Sequence, residues 1–187
     1  MTILLLSAAA VILAGCVVTS VYPFYGEKDV VFEPALLGHW TKPQHPEERW
    51  TFEPDNGNGY RVACVSTEST NTGQAHSFKL GGQMFLDLSA PMWKEDIQPQ
   101  PVPSHVLTRV TQVRPALKMS DLSYDWLKEL LATNPAAIRH LVIQTGDKPE
   151  DRRVVLTADT AELQRFVLSH LKTERAWKES WELHPAK

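Results

Sequence analysis

The chain has 187 residues, of which 43% are apolar and 22% charged, the proportions of an ordinary globular protein with one domain. Its net charge of −3 argues against a nucleic-acid partner, because phosphate binding needs concentrated Lys and Arg, and no basic stripe stands out. A domain of about 150 residues buries roughly 70% of its unfolded surface, so neither a disulfide nor a metal is needed to stabilise it.

The first predicted element is an apolar run from Ile3 to Val18, which contains the sequence "LAGC" from Leu13 to Cys16. A membrane-spanning helix needs about 20 apolar residues, and this run has about sixteen, so a permanent span is disfavoured. The h-region of a secretory signal, about 7–15 apolar residues followed by small ones, fits better. We therefore expect a signal peptide over residues 1–15. The alternative is a buried N-terminal strand or helix in which Cys16 is incidental.

"LAGC" resembles the lipobox of bacterial lipoproteins, and the chain also looks like exported bacterial lipoproteins that begin "VYPFY", a resemblance that implies no activity. The lipobox implies that the leader is cut and that Cys16 carries the lipid that anchors the protein to the membrane on the periplasmic face. Two or more acyl chains hold a protein stably, whereas one holds it marginally. Because Val17 stands where an Asp would retain the protein in the inner membrane of enteric bacteria, the outer membrane is preferred.

Residues 16–35 are predicted to form a lipidated tether, and residues 36–187 a single β-rich domain. The tether lacks the Gly- and Ser-rich composition of a free linker. Its aromatic residues Tyr22, Phe24 and Tyr25 indicate instead that it packs against the domain.

Strand-like segments follow, beginning with "GHW" at Gly38–Trp40. The segment "RWTFE" alternates, with Trp50 and Phe52 on one side, and the turn-rich "PDNGNG" then leads into a strand over Tyr60–Val65. Cys64 shares a face of that strand with Tyr60. If Cys16 is lipidated, Cys64 has no disulfide partner in the chain, and a small core residue is the usual role of such a cysteine.

The segment "AHSFKLGGQMFLDL" predicts a hairpin with two candidate registers. A two-residue Gly81-Gly82 turn sets His76 opposite Asp87, whereas a three-residue Gly-Gly-Gln loop sets Phe78 opposite Leu86. The three-residue loop collects the large apolar residues on one face, and a slip of one residue would scatter them. We therefore expect the three-residue loop. The Pro-rich stretch 89–104 that follows cannot be a central strand and is predicted to be a loop or crossover.

Two strands, "HVLTRVTQV" and "ALKMSDL", precede the helical part of the chain. A helix is predicted to begin after a Ser123 cap, and Asn134-Pro135 ends it and starts a short helix through Arg139. Strands "HLVIQ" and "RRVVLTA" come next. Asp159 and Glu162 then have the spacing of a capping box before a clear amphipathic helix.

The tail contains Trp177 and Trp181, which we expect to form a helical i,i+4 pair that docks on the body. About nine short strands with later helices predict an α+β fold that is mainly antiparallel β. The expected form is a lipocalin-like barrel, or a strongly curved meander sheet, with two or three helices in the C-terminal half.

The Gly-x-Trp motif at Gly38–Trp40 resembles the opening motif of lipocalin-like barrels. That resemblance implies that Trp40 plugs the closed end of the barrel and that an arginine from a late strand packs across it. Arg109 and Arg153 are the two candidates for that arginine. The long Pro-rich crossover and the helical insertion depart from the lipocalin pattern.

Catalytic signatures are absent from the sequence: there is no Gly-x-Ser-x-Gly elbow, Walker loop, Rossmann glycine fingerprint or His-Glu-x-x-His. The seven histidines are dispersed, with none at i,i+3 or i,i+4 from another, so no metal site is expected. The sequence therefore predicts a protein that is not an enzyme and has no cofactor.

Two classes of function remain. The first, which the sequence favours, is a non-enzymatic binding module for a small apolar ligand or a peptide inside an aromatic-lined barrel. The second is an accessory envelope lipoprotein that contacts other proteins through its outer surface, with the Pro-rich loop and the tryptophan tail as candidate contacts. The candidate ligand-lining or core residues lie at strand positions and are Trp40, Trp50, Phe52, Tyr60 and Phe78.

Overall fold

A computed structural model describes residues 17–89, 104–144, 147 and 152–186. The expected signal peptide, Cys16 and nearly all of the Pro-rich stretch lie outside the described residues. The strands are β1 Thr19–Ser20, β2 Gly38–Lys42, β3 His45–Pro54, β4 Tyr60–Val65, β5 Thr70–Leu80, β6 Gln83–Ser89, β7 His105–Gln112, β8 Leu117–Asp121, β9 His140–Gln144, β10 Arg152–Leu156 and β11 Trp181–Pro185. The α-helices are α1 Tyr124–Thr133 and α2 Thr160–His170.

Eight of the strands form a closed antiparallel barrel in the order β2-β3-β4-β5-β6-β7-β8-β11, and β11 pairs back with β2. Closure leaves these strands without free edges, which is how all-β proteins avoid uncontrolled strand pairing. The predicted fold class, a mainly antiparallel α+β fold with a lipocalin-like barrel and helices in the C-terminal half, is confirmed.

The other three strands form a small sheet that branches from β7, which we call the annex. One edge of β7 is shared: β8 pairs with it from Thr108 onward, and β1 pairs with it at His105 and Val106. Strand β10 pairs with β1 in parallel, and β9 pairs with β10 on its far side. The predicted strands "HLVIQ" and "RRVVLTA" are therefore the two outer strands of the annex.

Apolar side chains pack into two separate cores, one inside the barrel and one outside it. The outer core lies between the outer face of β5, β6 and β7 and the covering layer of the N-terminal segment, α1 and α2. The inner core consists of the buried residues Leu36, Trp40, Phe52, Tyr60, Val62, Ala75, Leu86, Val110, Leu117, Met119 and Leu183.

The segment before the barrel, residues 17–36, is laid along the barrel rather than held away from it. Phe24 is fully buried in the outer core, and Val30 bridges Phe78 on β5. The Val31 N–H donates to the Ser77 carbonyl at 2.8 Å. The segment predicted as a tether is thus part of the folded body.

The β5–β6 hairpin has the register that we did not expect. Its turn is the two-residue Gly81-Gly82, both at positive φ, and it sets His76 opposite Asp87 and Phe78 opposite Phe85. Positive φ at both central residues is the signature of the turn whose twist matches a hairpin, and glycine supplies it without steric cost. The prediction of a three-residue loop was wrong because this hairpin is buried on both faces. Its large apolar residues therefore need not lie on the same face.

Both helix starts are confirmed. The Ser123 hydroxyl accepts the Trp126 N–H at 3.3 Å, and the Asp159 carboxylate accepts the Glu162 N–H at 2.9 Å. The Glu162 carboxylate binds Arg139 instead of closing the capping box.

Two predictions for the C-terminal half are wrong. The stretch from Pro135 to Arg139 forms turns instead of a short helix, because it runs directly into β9. Trp181 does not extend a helix but begins β11. Trp181 and Leu183 lie two residues apart on this strand, so both side chains face the barrel interior. Both tail tryptophans nonetheless pack on the body, Trp177 in the outer core and Trp181 against the inner one.

Candidate functional site

The five residues predicted from the sequence to line a ligand site divide between the two cores. Trp40, Phe52 and Tyr60 are buried in the inner core, with Trp50 packed against it. Phe78 belongs to the outer core, where it stacks on Phe85 with ring centroids 5.5 Å apart. The structure therefore brings four of the five together and separates Phe78 from them.

Trp40 is held at one end of the barrel by two contacts. Its indole Nε1 donates to the Leu36 carbonyl at 2.8 Å, and the guanidinium of Arg114 lies 4.6 Å from the ring centroid. The arginine over Trp40 is thus Arg114, from the β7–β8 connection, and neither Arg109 nor Arg153. Arg109 lies over Trp177 instead, also at 4.6 Å. The choice depends on how the barrel closes, which sequence spacing does not reveal.

A small pocket lies where β6 finishes. It has a volume of about 70 Å³ and is lined by Trp50, Cys64 and Leu88 among others. Burial, with a further contribution from Glu48, raises the pKa of the Cys64 thiol to about 11. The pocket is apolar, and its thiol is protonated at neutral pH.

We expect Cys64 to react slowly with iodoacetamide in the folded protein. Only the thiolate is nucleophilic, and at pH 8 a thiol of pKa about 11 has a thiolate fraction about 100-fold below one of pKa 9. In a Cys16→Ser chain, Cys64 is the sole thiol. Mass-spectrometric labelling should show a rate that rises about tenfold per pH unit up to pH 10. A fast, pH-independent rate in the folded state would contradict this, and unfolding in urea provides the fully reactive control.

A buried polar cluster lies on the outer face of the barrel, beneath the N-terminal segment. Asp87, only 1% exposed, places one carboxyl oxygen 2.7 Å from His105 Nδ1, and the other accepts the Phe24 N–H at 2.8 Å. Beside it, His76 Nδ1 lies 3.0 Å from the Tyr25 hydroxyl, with the two rings stacked. Both carboxyl oxygens of Asp87 are engaged, so this cluster fastens the N-terminal segment to the barrel.

Burial shifts both partners of the Tyr25–His76 contact towards their neutral forms. It lowers the pKa of His76, against the opposing pull of Asp87, and raises the pKa of Tyr25, an effect that Asp87 reinforces. Sequence reasoning missed the cluster because it preferred the hairpin register that separates His76 from Asp87. The Gly-Gly turn signal favoured the correct register.

A groove lies between α1 and the β9–β10 hairpin, and we call it the α1 groove. Its volume is about 380 Å³, within the range of about 300–1,000 Å³ that is typical of ligand pockets. Apolar side chains alternate in it with cationic and imidazole groups. The lining residues are Tyr124, Lys128, Leu131, Ala132, His140, Val142, Arg152 and Val154.

A second, larger groove of about 770 Å³ runs over the outer face of β2, β3 and β11. Its polar lining includes His39, Arg49, Thr51 and His184. His39 and Thr51 are hydrogen-bonded to each other at 3.0 Å, so part of this polarity is satisfied within the protein.

The described residues contain neither a metal-binding cluster nor a helix that could cross a membrane. No group of three or more His, Cys, Asp or Glu side chains that could hold a metal ion occurs among them. None of the helices in this part of the chain has the length and hydropathy to cross a membrane. The chain matches no protein-family model, no curated protein and no solved structure.

Proposed function

We propose that this chain is an exported lipoprotein, anchored through Cys16, that acts without catalysis as an accessory protein of the cell envelope. Its barrel serves as a rigid scaffold, and its contacts are made by the outer surface. The observation that carries the proposal is the filled inner core, in which Trp40, Phe52 and Tyr60 are all buried.

The filled interior favours the accessory role over the alternative of a ligand held inside the barrel. Barrels of about eight strands commonly fill their interiors with side chains. The pocket where β6 finishes has about 70 Å³, well below the size of a ligand site. The two grooves outside the barrel are several times larger.

The position of Val17 supports an anchor close to the folded body. Val17 bridges Ser123 at the start of α1, so it already belongs to the fold. Cys16 is its chain neighbour, about 3.8 Å away from Cα to Cα. A lipid on Cys16 would hold the folded body directly against the membrane, without a long flexible linker between them.

The anchor is tested by expressing the full chain in a bacterial host with an alkyne analogue of palmitate. We expect label and membrane association in the native chain, and the loss of the label in the Cys16→Ser variant. Cys64→Ser is the matched control, because it removes the other cysteine and should leave labelling unchanged. Label that persists in Cys16→Ser, or a mature protein that keeps residues 1–15, would contradict the anchor.

The surface role is tested by native mass spectrometry on a lipid-free chain that begins at residue 17. We expect the measured mass to be that of the protein alone, because the inner core leaves little room for a ligand. A small apolar molecule that co-purifies, and is lost when Phe52 is replaced by Trp to overfill the interior, would contradict the accessory role and favour the binding module.

A further inference from the structure

The outermost strand of the annex, β9, exposes an unusual run of large apolar side chains. Leu141, Val142 and Ile143 are 58%, 55% and 45% exposed. Natural proteins usually protect an edge strand with charges, proline or a bulge, since its unpaired backbone groups recruit other chains. An exposed edge with three consecutive apolar residues indicates a surface that something covers.

Both faces of this edge are apolar. Successive side chains on a strand point to opposite faces, so Leu141 and Ile143 lie on one face and Val142 on the other. Val142 also lines the α1 groove, where Lys128 and Arg152 supply cationic groups. Among the described strands, β9 pairs with β10 alone, which leaves its far edge open.

Strand register places this edge beside the start of the mature chain. Thr19 on β1 pairs with Val155 in parallel, so counting back two residues sets Val17 level with Arg153. Arg153 in turn pairs with Ile143. Neighbouring strands lie about 4.8 Å apart, which puts the exposed residues of β9 about 10 Å to the side of the chain that leads to Cys16.

We propose that the β9 edge, Leu141–Ile143, is a membrane-contact surface that lies on the bilayer at the level of the lipid headgroups. The proposal rests on the lipid anchor at Cys16 and adds an orientation to it. Open backbone N–H and C=O groups are too costly to place in hydrocarbon, so the edge lies in the interface and does not insert deeply. Lys128 and Arg152 are then within reach of lipid phosphates, which Arg and Lys bind well.

Of the occupants that could cover this edge, the bilayer is the one that the anchor brings there. A lipid on the residue before Val17 holds the membrane at high effective concentration beside β9 at all times. A peptide added to the strand edge, or a second copy of the chain, would have to be recruited from solution. These two occupants are outcomes of the test below.

The test uses the lipidated chain with Cys64→Ser, so that no thiol remains, and adds Ile143→Cys for an environment-sensitive fluorophore. The protein is reconstituted into vesicles of phosphatidylcholine and phosphatidylglycerol, some containing a nitroxide lipid that quenches at the interface. Val65→Cys is the matched control: Val65 is 41% exposed and lies on β4, three strands around the barrel from β7. We expect several-fold stronger quenching at position 143 than at position 65.

Equal or weaker quenching at position 143 overturns the proposal. Disulfide crosslinking of unlabelled Ile143→Cys between two chains, without quenching, would assign the edge to a second copy and also overturns it. Strand addition would appear as a blue shift in the emission of the fluorophore at position 143 that requires an added peptide and is absent with vesicles alone. That result would assign the edge to a peptide and also overturns the proposal. If palmitate labelling of Cys16 fails, the anchor itself is wrong. If labelling succeeds and position 143 is unquenched, the anchor stands and the membrane-contact surface is wrong.

Discussion

Replacing Asp87 with alanine is expected to lower the free energy of unfolding by about 3 kcal/mol. The change removes two buried hydrogen bonds, those to His105 Nδ1 and to the Phe24 N–H. It also leaves a backbone donor without an acceptor under the N-terminal segment, and such a buried unsatisfied group costs more than the bond itself contributed. Urea titration of a lipid-free chain that begins at residue 17, followed by tryptophan fluorescence, measures the difference.

Asp87→Asn separates hydrogen bonding from charge. The amide oxygen can still accept the Phe24 N–H, and the amide nitrogen can donate to His105, so we expect a loss of about 1 kcal/mol. Glu53→Ala removes an exposed carboxylate that pairs with Arg61 and should change stability by less than about 0.5 kcal/mol. If Asp87→Ala were as mild as Glu53→Ala, the cluster would not fasten the N-terminal segment.

Leu183→Ala should lower the free energy of unfolding by about 3 kcal/mol, because Leu183 is fully buried in the inner core and its truncation leaves a cavity.

A stop codon in place of Trp181 has a larger expected effect on stability than Leu183→Ala. It removes β11 entirely and leaves β2 and β8 as unpaired edges of an open sheet. We expect that truncated chain to lose its cooperative unfolding transition, as measured by circular dichroism against urea.

Leu168→Ala is the matched control, since Leu168 is an exposed leucine on α2. It should leave stability within about 0.5 kcal/mol of the parent chain. A truncated chain that still unfolds cooperatively would show that β11 is an accessory strand and that the barrel does not depend on closure.

Local patterns predicted the parts of the fold that local forces determine. The α1 and α2 starts were found because Ser123 and Asp159 satisfy backbone N–H groups within a few residues of themselves. The meander of hairpins from β2 to β6 was found because turn residues separate alternating segments. The number and short spacing of these strands were enough to predict the fold class, a mainly antiparallel barrel.

The parts that failed depend on contacts between distant residues. Trp177 and Trp181 fit a helical spacing, but pairing with β2 and β8 draws the second into a strand. Arg114 reaches Trp40 only because the barrel closes. The Asp87 cluster needs the N-terminal segment, β6 and β7 together, and no local spacing shows that assembly.

Closure by β11 has a consequence for the order of events during folding. Thr41 on β2 and His184 on β11 are paired although they lie roughly 140 residues apart in the chain, a separation that slows folding by its loop-closure cost. A chain exported in the unfolded state would therefore cross the membrane almost completely before its barrel could close. Because the barrel closes late, the chain would stay unfolded enough to cross the membrane until its last strand arrives.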